Sequence, residues 1–294
     1  MYVWYNLISG DNMKVQIVGK TKSGKYKVKV DDTLINTYDD VLINNKLIYK
    51  KEIDNDMLTK INKDNIYYDA YNKTLSYILK HQRALSEVIE YLDKFEISDN
   101  EKNKIIDKLK SNGLINDIQY VRSYISDSIN LSKDGPNKIK KYLLDKNIDE
   151  MLIDEELSKI DEDILIDKVL KYIKKKFDSN TKYSKYQLKQ KISLELINLG
   201  YDKDLIDSLI NNFDFNENDL LEKEYNKIYN KLSKKYNGYE LSNKIKQKLY
   251  AKGFDINLIS DLIQKKDSFW YESLFFFFWI WIWIAIWSLF FSFI

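Results

Sequence analysis

Apolar residues recur at helical spacing along most of this chain, and the pattern itself repeats at a fixed distance. Ile139, Ile192 and Ile245 are 53 residues apart (192 − 139 and 245 − 192), and a leucine follows each of them four residues later. Residues four positions apart lie on one face of a helix. A looser copy with Val88 and Leu92 precedes these three. The sequence therefore predicts an array of helical repeats.

Each copy also carries signals for the end of one helix and the start of the next. Asn147, Gly200 and Gly253 keep the spacing of 53 residues, at the point where a chain turns left-handed to end a helix. An aspartate two residues later can cap a second helix, and a further apolar helix precedes each pair. We therefore predict three-helix modules in which Gly200 and Gly253 end helices. The four predicted modules are residues 66–115, 116–160, 161–213 and 214–267.

The first part of the chain has a different period. Residues 13–50 alternate apolar and polar positions, and Lys22–Lys25 has the composition of a hairpin turn. Two further apolar runs, residues 41–43 and 47–49, predict a third and a fourth short strand. We therefore predict a small β-rich cap over residues 1–65. The predicted fold class is mainly α, with tandem three-helix repeats in an extended curved array behind this cap.

The last part of the chain is a strongly apolar tail, residues 268–294. From residue 274 onward every residue is apolar except Ser288 and Ser292, a length close to the roughly 20 residues that cross a bilayer as a helix. Lys265 and Lys266 precede it, as they would a membrane anchor with its body in the cytoplasm. An aberrant terminus is the alternative, and the sequence leaves both interpretations open.

Composition excludes several classes of function. Lys and Arg number 47 against 45 Asp and Glu, a formal net charge of +2, so any contact with a polyanion must come from local patches. The chain has no cysteine, which excludes a disulfide or a thiol nucleophile and suits a reducing cytoplasm. Residues 1–10 lack the basic and apolar segments of a cleavable signal, so we expect none.

Two motifs resemble chemical sites without the required context. Gly19–Lys25 has the spacing of a phosphate-binding loop, but Tyr26 replaces the Ser or Thr that holds magnesium, and a strand pattern follows instead of a helix. His81 is the single histidine, so it has no partner with which to share a metal. We expect no enzyme activity, no cofactor and no metal site.

Lysines, in contrast, recur at equivalent positions of successive modules. The sets are Lys138, Lys140 and Lys141; Lys189 and Lys191; and Lys244, Lys246 and Lys248. In a stacked array they would line up along one surface, which could meet phosphate groups or an acidic protein. A solvated polar face is the alternative interpretation.

The middle of the chain has a distinctive pattern of turn, aromatic and basic residues. The residues are Gly113–Asp117, Tyr120, Arg122, Gly135, Pro136 and Lys138. They resemble the central signature of the RecX family, the bacterial regulators of the RecA recombinase. That signature has a glycine–leucine turn, an acidic pair, an aromatic residue with a following arginine, and a glycine–proline pair that opens a basic helix. Upstream, residues 77–92 resemble the first family repeat, with His81 where the family usually has arginine. The cap is similar to the N-terminal extension of longer members.

The resemblance implies a non-enzymatic regulator in DNA repair, recombination and the SOS response. It would bind the filament that RecA forms on single-stranded DNA, and inhibit or modulate it, as a cytoplasmic monomer. A membrane-tethered helical adaptor for another protein is the alternative, and direct DNA binding without RecA is weakened by the small net charge. The predicted partner-binding residues are Arg83, Arg122, Lys138, Lys140, Lys141, Lys189, Lys191, Lys244 and Lys246.

Overall fold

The computed structural model of the protein describes residues 12–267, which are mostly helical with one small sheet near the start. The predicted apolar tail, residues 268–294, lies outside the described residues. The strands are β1 (Met13–Lys20), β2 (Tyr26–Val30), β3 (Thr33–Thr37) and β4 (Glu52–Ile53). The helices are α1 (Asp39–Asn44), α2 (Asn55–Lys80), α3 (Leu85–Leu92), α4 (Asp99–Ser111), α5 (Asp117–Leu131), α6 (Pro136–Asp145), α7 (Glu150–Leu157), α8 (Glu162–Asp178), α9 (Lys185–Asn198), α10 (Lys203–Ile210), α11 (Asn218–Leu232), α12 (Gly238–Ala251) and α13 (residues 256–267). The prediction of a mainly helical fold with a small β-rich cap is confirmed.

The sheet has the order β3-β2-β1-β4, and every neighbouring pair is antiparallel. The predicted hairpin turn between β1 and β2 is confirmed, since the amide of Thr21 donates to the carbonyl of Lys25 at 2.7 Å. The prediction that residues 41–43 and 47–49 form the third and fourth strands is wrong. Residues 41–43 belong to α1 and residues 47–49 to the turn after it, while β3 and β4 lie before and after this segment.

The physical reason for this error lies in the short apolar run itself. A run of three apolar residues fits a buried strand and one turn of a helix equally well. Asp39 and Asp40 occupy the first turn of α1, where negative charge is favourable, and Val41 and Leu42 are buried side by side in the cap. The acidic pair therefore decides between the two structures.

One long helix joins the cap to the first predicted module. α2 runs through residue 65, the predicted end of the cap, so its start packs in the cap and its end in the first module. Asp69 in α2 accepts hydrogen bonds from Lys25 at 2.8 Å and from Tyr38 at 2.6 Å, and it pairs with Lys73 at 2.6 Å. Burial opposes the charge of Asp69, but these three partners outweigh it and hold the pKa of the carboxyl well below its ordinary value.

Three-helix units follow one another along the remaining chain. The predicted modules contain the end of α2 with α3 and α4, then α5 to α7, α8 to α10, and α11 to α13. The isoleucines that revealed the repeat, Ile139, Ile192 and Ile245, are at most 1% exposed. Full burial of such a side chain contributes about 1.5–3 kcal/mol to folding, so the 53-residue spacing reflects a repeated core position.

The predicted helix ends are confirmed in all three copies. Asn147, Gly200 and Gly253 have φ angles of 55°, 88° and 75°, in the left-handed region. Asp149 then accepts a hydrogen bond from the amide of Leu152 at the start of α7. The corresponding aspartates before α10 and α13 accept from two amides each. The motif is therefore a helix stop followed at once by a helix start.

The α2–α4, α8–α10 and α11–α13 modules each pack around one cluster of buried apolar residues. In the α8–α10 module, α8 contributes Val169, Ile173 and Phe177, which are four residues apart on one face. α9 contributes Leu188, Ile192 and Leu196 with the same spacing, and the last turn and α10 contribute Tyr201, Ile206 and Ile210. The α11–α13 module repeats this arrangement around Leu221, Tyr225, Ile228 and Leu232.

The contacts of the chain divide it into two compact units. The first comprises the residues up to Asp127 together with Lys140–Ser158, and the second comprises Ser128–Ile139 and the residues from Lys159 onward. Both α5 and α6 therefore contribute to both units. The exact module boundaries and the curvature of the array stay predictions.

Candidate binding surfaces

Arg122 holds two helices of its module together. Its Nε and Nη2 groups donate to the two carboxylate oxygens of Glu156 in α7 at 3.0 and 2.9 Å. Only 6% of the Glu156 side chain is exposed, and its hydrogen bonds with Arg122 raise the pKa of the guanidinium. A bidentate pair of this kind fixes the geometry of both groups. The first role of Arg122 is thus to link α5 to α7, although 60% of its side chain stays exposed.

The three lysines of α6 differ in how far they are already paired. Lys140 lies between Glu150 and Asp154 of α7, at 2.8 and 2.7 Å. Lys138 pairs with Asp134 one helical turn earlier at 2.7 Å, and half of its side chain is exposed. Lys141 is exposed. Lys138 and Lys141 are therefore more accessible to a partner than Lys140.

A lysine–tyrosine contact is repeated in the last two modules. Lys191 lies 4.4 Å from the centroid of the Tyr183 ring, and Lys244 lies 4.5 Å from the centroid of Tyr236. Both tyrosines precede their lysines by eight residues (191 − 183 and 244 − 236), so the pair follows the 53-residue repeat. The hydrogen bond from Lys191 lowers the pKa of Tyr183, with help from the charge of nearby Lys182.

Lys189 and Lys246 are the remaining predicted lysines of α9 and α12. Both are partly buried, and Lys189 Nζ donates to the carbonyl of Asn211 at 3.4 Å. Several of the repeated lysines are therefore also held within their own modules by a tyrosine, a carbonyl or a carboxylate, among them Lys138, Lys189, Lys191 and Lys244.

Arg83, the other arginine, is built into an aromatic stack. Its guanidinium lies 4.3 Å from the centroid of Tyr77, whose ring stacks on Tyr91 with centroids 4.3 Å apart. It also approaches Glu87 at 3.6 Å, and Lys146 pairs with the same carboxylate at 3.0 Å. Only 24% of the Arg83 side chain is exposed, so this residue has mainly a packing role.

The predicted partner-binding residues fall in different units. Arg83, Arg122, Lys140 and Lys141 belong to the first unit. Lys138, Lys189, Lys191, Lys244 and Lys246 belong to the second. Their alignment on one continuous surface stays a prediction.

The two motifs set aside in the sequence lie in ordinary structural positions. Gly19–Lys25 ends β1 and forms the turn before β2, and His81 is the exposed residue that follows α2. Within residues 12–267, no three His, Cys, Asp or Glu side chains are placed to hold a metal ion. Across the same span, none of the helices combines the length and apolar character needed to cross a bilayer.

A basic groove that the sequence analysis missed lies within the second unit. We call it the α8 groove; it has a volume of about 540 Å³. Five lysines line it, with an apolar floor formed by residues that include Tyr172 and Leu199. The lysines are Lys133, Lys168, Lys171, Lys175 and Lys176. The helical spacing of 168, 171 and 175 was visible in the sequence, but only the fold brings Lys133 to them.

Lys168 is the most deeply placed lysine of the α8 groove. Its ammonium donates to the carbonyls of Ile129 and Ser132 at the end of α5, the latter at 3.0 Å. Positive charge is favourable at the C-terminal end of a helix, where carbonyls have no helical partner. Burial nevertheless lowers the pKa of Lys168. The two carbonyl dipoles therefore stabilise the positive charge of Lys168.

The other groove lysines are paired to different degrees. Lys171 pairs with Asp167 at 2.5 Å, and Lys176 with Glu195 at 2.6 Å. Lys133 and Lys175 are exposed and form no ion pair with any residue that the structure describes. The α8 groove thus keeps a net positive lining.

The modules and their recurring basic side chains place the chain among the helical-repeat proteins. A family model described as the third three-helix domain of RecX matches residues 216–263, within the last predicted module. The regulatory protein RecX of Bacillus cytotoxicus is 32% identical over 263 residues, covering 86% of this chain and 97% of that protein. The chain belongs to the RecX family of regulatory proteins.

Two further relatives agree with this assignment. The regulatory protein RecX of Streptococcus agalactiae is 33% identical over 260 residues, covering 86% of this chain and 99% of that protein. A crystal structure of a regulatory protein RecX superimposes with a TM-score of 0.55 at 23% identity, covering 67% of this chain and 98% of that one. The family assignment rests on the relatives identified by sequence, and the crystal structure supports the fold.

Proposed function

We propose that this protein binds the filament that the RecA recombinase forms on single-stranded DNA, and inhibits or modulates its activity in DNA repair and recombination. It acts in the cytoplasm as a monomer and without chemistry of its own. The observation that carries the proposal is the tandem three-helix repeat with lysines at equivalent positions, in a chain that belongs to the RecX family.

A tandem array suits a polymeric partner for a physical reason. A filament presents the same surface at regular intervals, and a protein built from repeated modules can present matching side chains at intervals of its own. Each contact is weak, but contacts made by one chain add as linked binding events. One bound protein could then block several filament subunits without a catalytic group.

The contacts of each residue refine the proposed binding set. Lys138, Lys141 and Lys191 are exposed, so we assign them the partner-binding role. Arg122 and Lys140 already pair with carboxylates of α7, so we expect their replacement to affect stability as well as binding. A test of the surface should therefore leave these two residues intact.

The experiment reverses the charge of two exposed lysines, Lys138→Glu with Lys141→Glu. We expect normal folding, because exposed charges contribute little to stability. We expect weaker binding, because the introduced glutamates would repel an acidic surface of the filament. The concentration needed for half-inhibition of the DNA-stimulated ATPase of RecA should rise about tenfold, equivalent to about 1.4 kcal/mol.

The matched control reverses two exposed lysines of the cap, Lys14→Glu with Lys22→Glu. Lys25 is unsuitable as a control because it pairs with Asp69 and supports the cap. Retained inhibition in the control would support the proposed surface. If both double variants lose inhibition equally, only overall charge matters and the surface is wrong.

A further inference from the structure

The start of the middle helix of one module docks on the end of the middle helix of the next, and this contact recurs along the chain. In each case a group at the start of α3, α6 or α9 donates a hydrogen bond to the carbonyl just before the left-handed helix stop of the following module. The donor and acceptor residues are Ser86 and Lys146 at 2.6 Å, Gly135 and Leu199 at 2.6 Å, and Ser184 and Lys252 at 2.7 Å. The first contact lies within the first unit and the other two within the second. The start of each middle helix is therefore a docking surface of the repeat.

The start of α12 is the fourth copy of this surface. Tyr186, the second residue of α9, packs against the next module, since a Cβ added at Gly253 would lie 3.0 Å from its ring carbon Cδ1. Tyr239 is the second residue of α12 and comes 53 residues later (239 − 186), but 84% of it is exposed. Within residues 12–267, no further helix follows α13. The ends of a repeat array need a cap, because an inner module buries this face against its neighbour.

A groove with a volume of about 490 Å³ lies at this surface, and we call it the α12 groove. The residues that line it include Tyr225, Tyr229 and Tyr239, together with Leu241 and Ile245. The first two tyrosines are stacked, with ring centroids 5.9 Å apart. None of the described residues that line this groove is a lysine or an arginine. Rings pair favourably with other rings in offset or edge-to-face arrangements, so the lining favours an aromatic occupant.

The α8–α10 module shows how aromatic residues that follow the third helix can cover a module. Phe213 and Phe215 follow α10 and pack on Phe177, with ring centroids 5.5 and 5.7 Å from it. In the last module the third helix is longer, since α13 continues to Asp267. Among the described residues, the apolar side chains packed against its core end with Ile263. Aromatic residues that cover this module would therefore have to come from beyond residue 267 or from another molecule.

The same chain supplies aromatic residues at the required place. Asp267 lines the α12 groove, and the residues that follow it are Ser268, Phe269, Trp270 and Tyr271. The Cα atoms of Phe269 and Asp267 are at most about 7 Å apart, because each residue spans no more than about 3.6 Å. A segment joined to its site by a short linker has an effective concentration in the millimolar range. A second copy or another protein would have to match that concentration, so the observations favour the segment of the same chain.

We propose that the α12 groove is the docking site of residues 268–271 of the same chain, with Phe269 and Trp270 packed against its tyrosines. The segment covers the end of the array, as the following module covers the starts of α3, α6 and α9. The first residues of the apolar tail are thereby held on the last module. This property belongs to the protein alone and does not depend on the proposed docking on the RecA filament.

The experiment compares amide hydrogen exchange in the unsubstituted full chain and in two variants, in the same mild detergent and without RecA. The segment variant is Phe269→Ser with Trp270→Ser. The control is Phe278→Ser with Trp279→Ser, which removes the same pair of side chains farther along the tail. Amides of residues 238–245 should exchange about tenfold faster in the segment variant, equivalent to local opening made easier by about 1.4 kcal/mol. The control should leave these amides unchanged, and the amides of α9 should be unchanged in both variants.

Disulfide formation supplies a second measurement, because the chain contains no cysteine. Tyr271→Cys is combined either with Ser242→Cys, which lines the α12 groove, or with Ser260→Cys in α13, which is not among the lining residues. A disulfide requires Cα atoms within about 7 Å of each other. Ser260 is nearer to residue 271 in the sequence, so faster bond formation with residue 242 under mild oxidation would reflect docking and not proximity along the chain. We expect that result.

Three results would overturn the proposal. An equal effect of the two serine variants on the exchange of residues 238–245, whether zero or large, would show that Phe269 and Trp270 do not specifically cover the groove. Faster disulfide formation with residue 260 would place the segment along α13. Protection that falls on dilution, with a dimer detected by analytical ultracentrifugation, would mean that a second copy covers the groove. Because RecA is absent, failure of the proposed filament binding would leave all these measurements unchanged.

Discussion

Replacing Gly200 by alanine tests the close approach of the backbone after α9 to the start of α6. Gly200 has a φ of 88°, in the left-handed region, and its carbonyl accepts a hydrogen bond from the amide of Asn137 at the start of α6 at 2.9 Å. A Cβ added at Gly200 would lie 2.4 Å from the backbone nitrogen of Lys138. Gly135 donates to the carbonyl of Leu199 beside it, at 2.6 Å. A side chain here must therefore displace α6.

The cost can be worked out from two contributions. A left-handed conformation costs a residue with a side chain about 1–2 kcal/mol. Forcing a methyl group into an already filled contact typically costs a further 1–3 kcal/mol, because the backbone must shift. We therefore expect Gly200→Ala to destabilise the protein by about 2–5 kcal/mol.

Two other glycines of the second unit supply a graded comparison. A Cβ at Gly253 would lie 3.0 Å from Ser184 Oγ and from Tyr186 Cδ1, which side-chain movement can relieve. A Cβ at Gly238, whose φ is 49°, meets nothing within 4 Å. Gly238→Ala should thus cost only the backbone contribution of about 1 kcal/mol, and Gly253→Ala should lie between the two.

The assay is thermal unfolding followed by circular dichroism, with the three variants measured side by side. A change of 1 kcal/mol shifts Tm by about 2–4 °C in a protein of this size, so Gly200→Ala should lower it by about 10 °C. The expected order of loss is Gly200, then Gly253, then Gly238. Equal losses at all three positions would refute the argument, since only the φ contribution would then matter.

Three further predictions concern single sites. Asp69→Asn should reduce the loss of stability that the unsubstituted protein shows below about pH 4, because the lowered pKa of Asp69 stabilises the fold above its ordinary pKa and this contribution disappears in acid; acid titrations of both proteins check this. Arg122→Ala should lower Tm, and a double-mutant cycle with Glu156→Gln should reveal coupling between the two sites; additive losses would contradict the contact. Asn147→Gly should raise Tm slightly, because glycine adopts the left-handed conformation without strain; a lower Tm would argue against it.

The repeat was predictable from the sequence because it depends on local and periodic signals. Ile139 and its equivalents are spaced by one module, and a helix stop such as Gly200 depends on the φ angle of a single residue. These signals stay readable without knowledge of tertiary contacts. The segment around Val41 was not predictable in this way, since the same three apolar residues satisfy two local structures.

The candidate site was less predictable because its contacts are distant in sequence. Arg122 looked like a surface residue, but Glu156, 34 residues later, fixes it to α7. The α8 groove needs Lys133 beside Lys171 and Lys175, which only the packing of the second unit provides. Periodicity gives the face of a helix on which a charge lies, and it does not give the partner on the next helix.

The proposed function is tested most directly by the effect of this protein on RecA from the same source. The DNA-stimulated ATPase of RecA would be measured on single-stranded DNA with increasing amounts of the full chain. We expect a saturable change in the ATPase rate at substoichiometric protein, since one chain would contact several filament subunits. An ATPase rate unaffected at a protein concentration equal to that of RecA, with the protein folded and no binding to the filament detected, would contradict it.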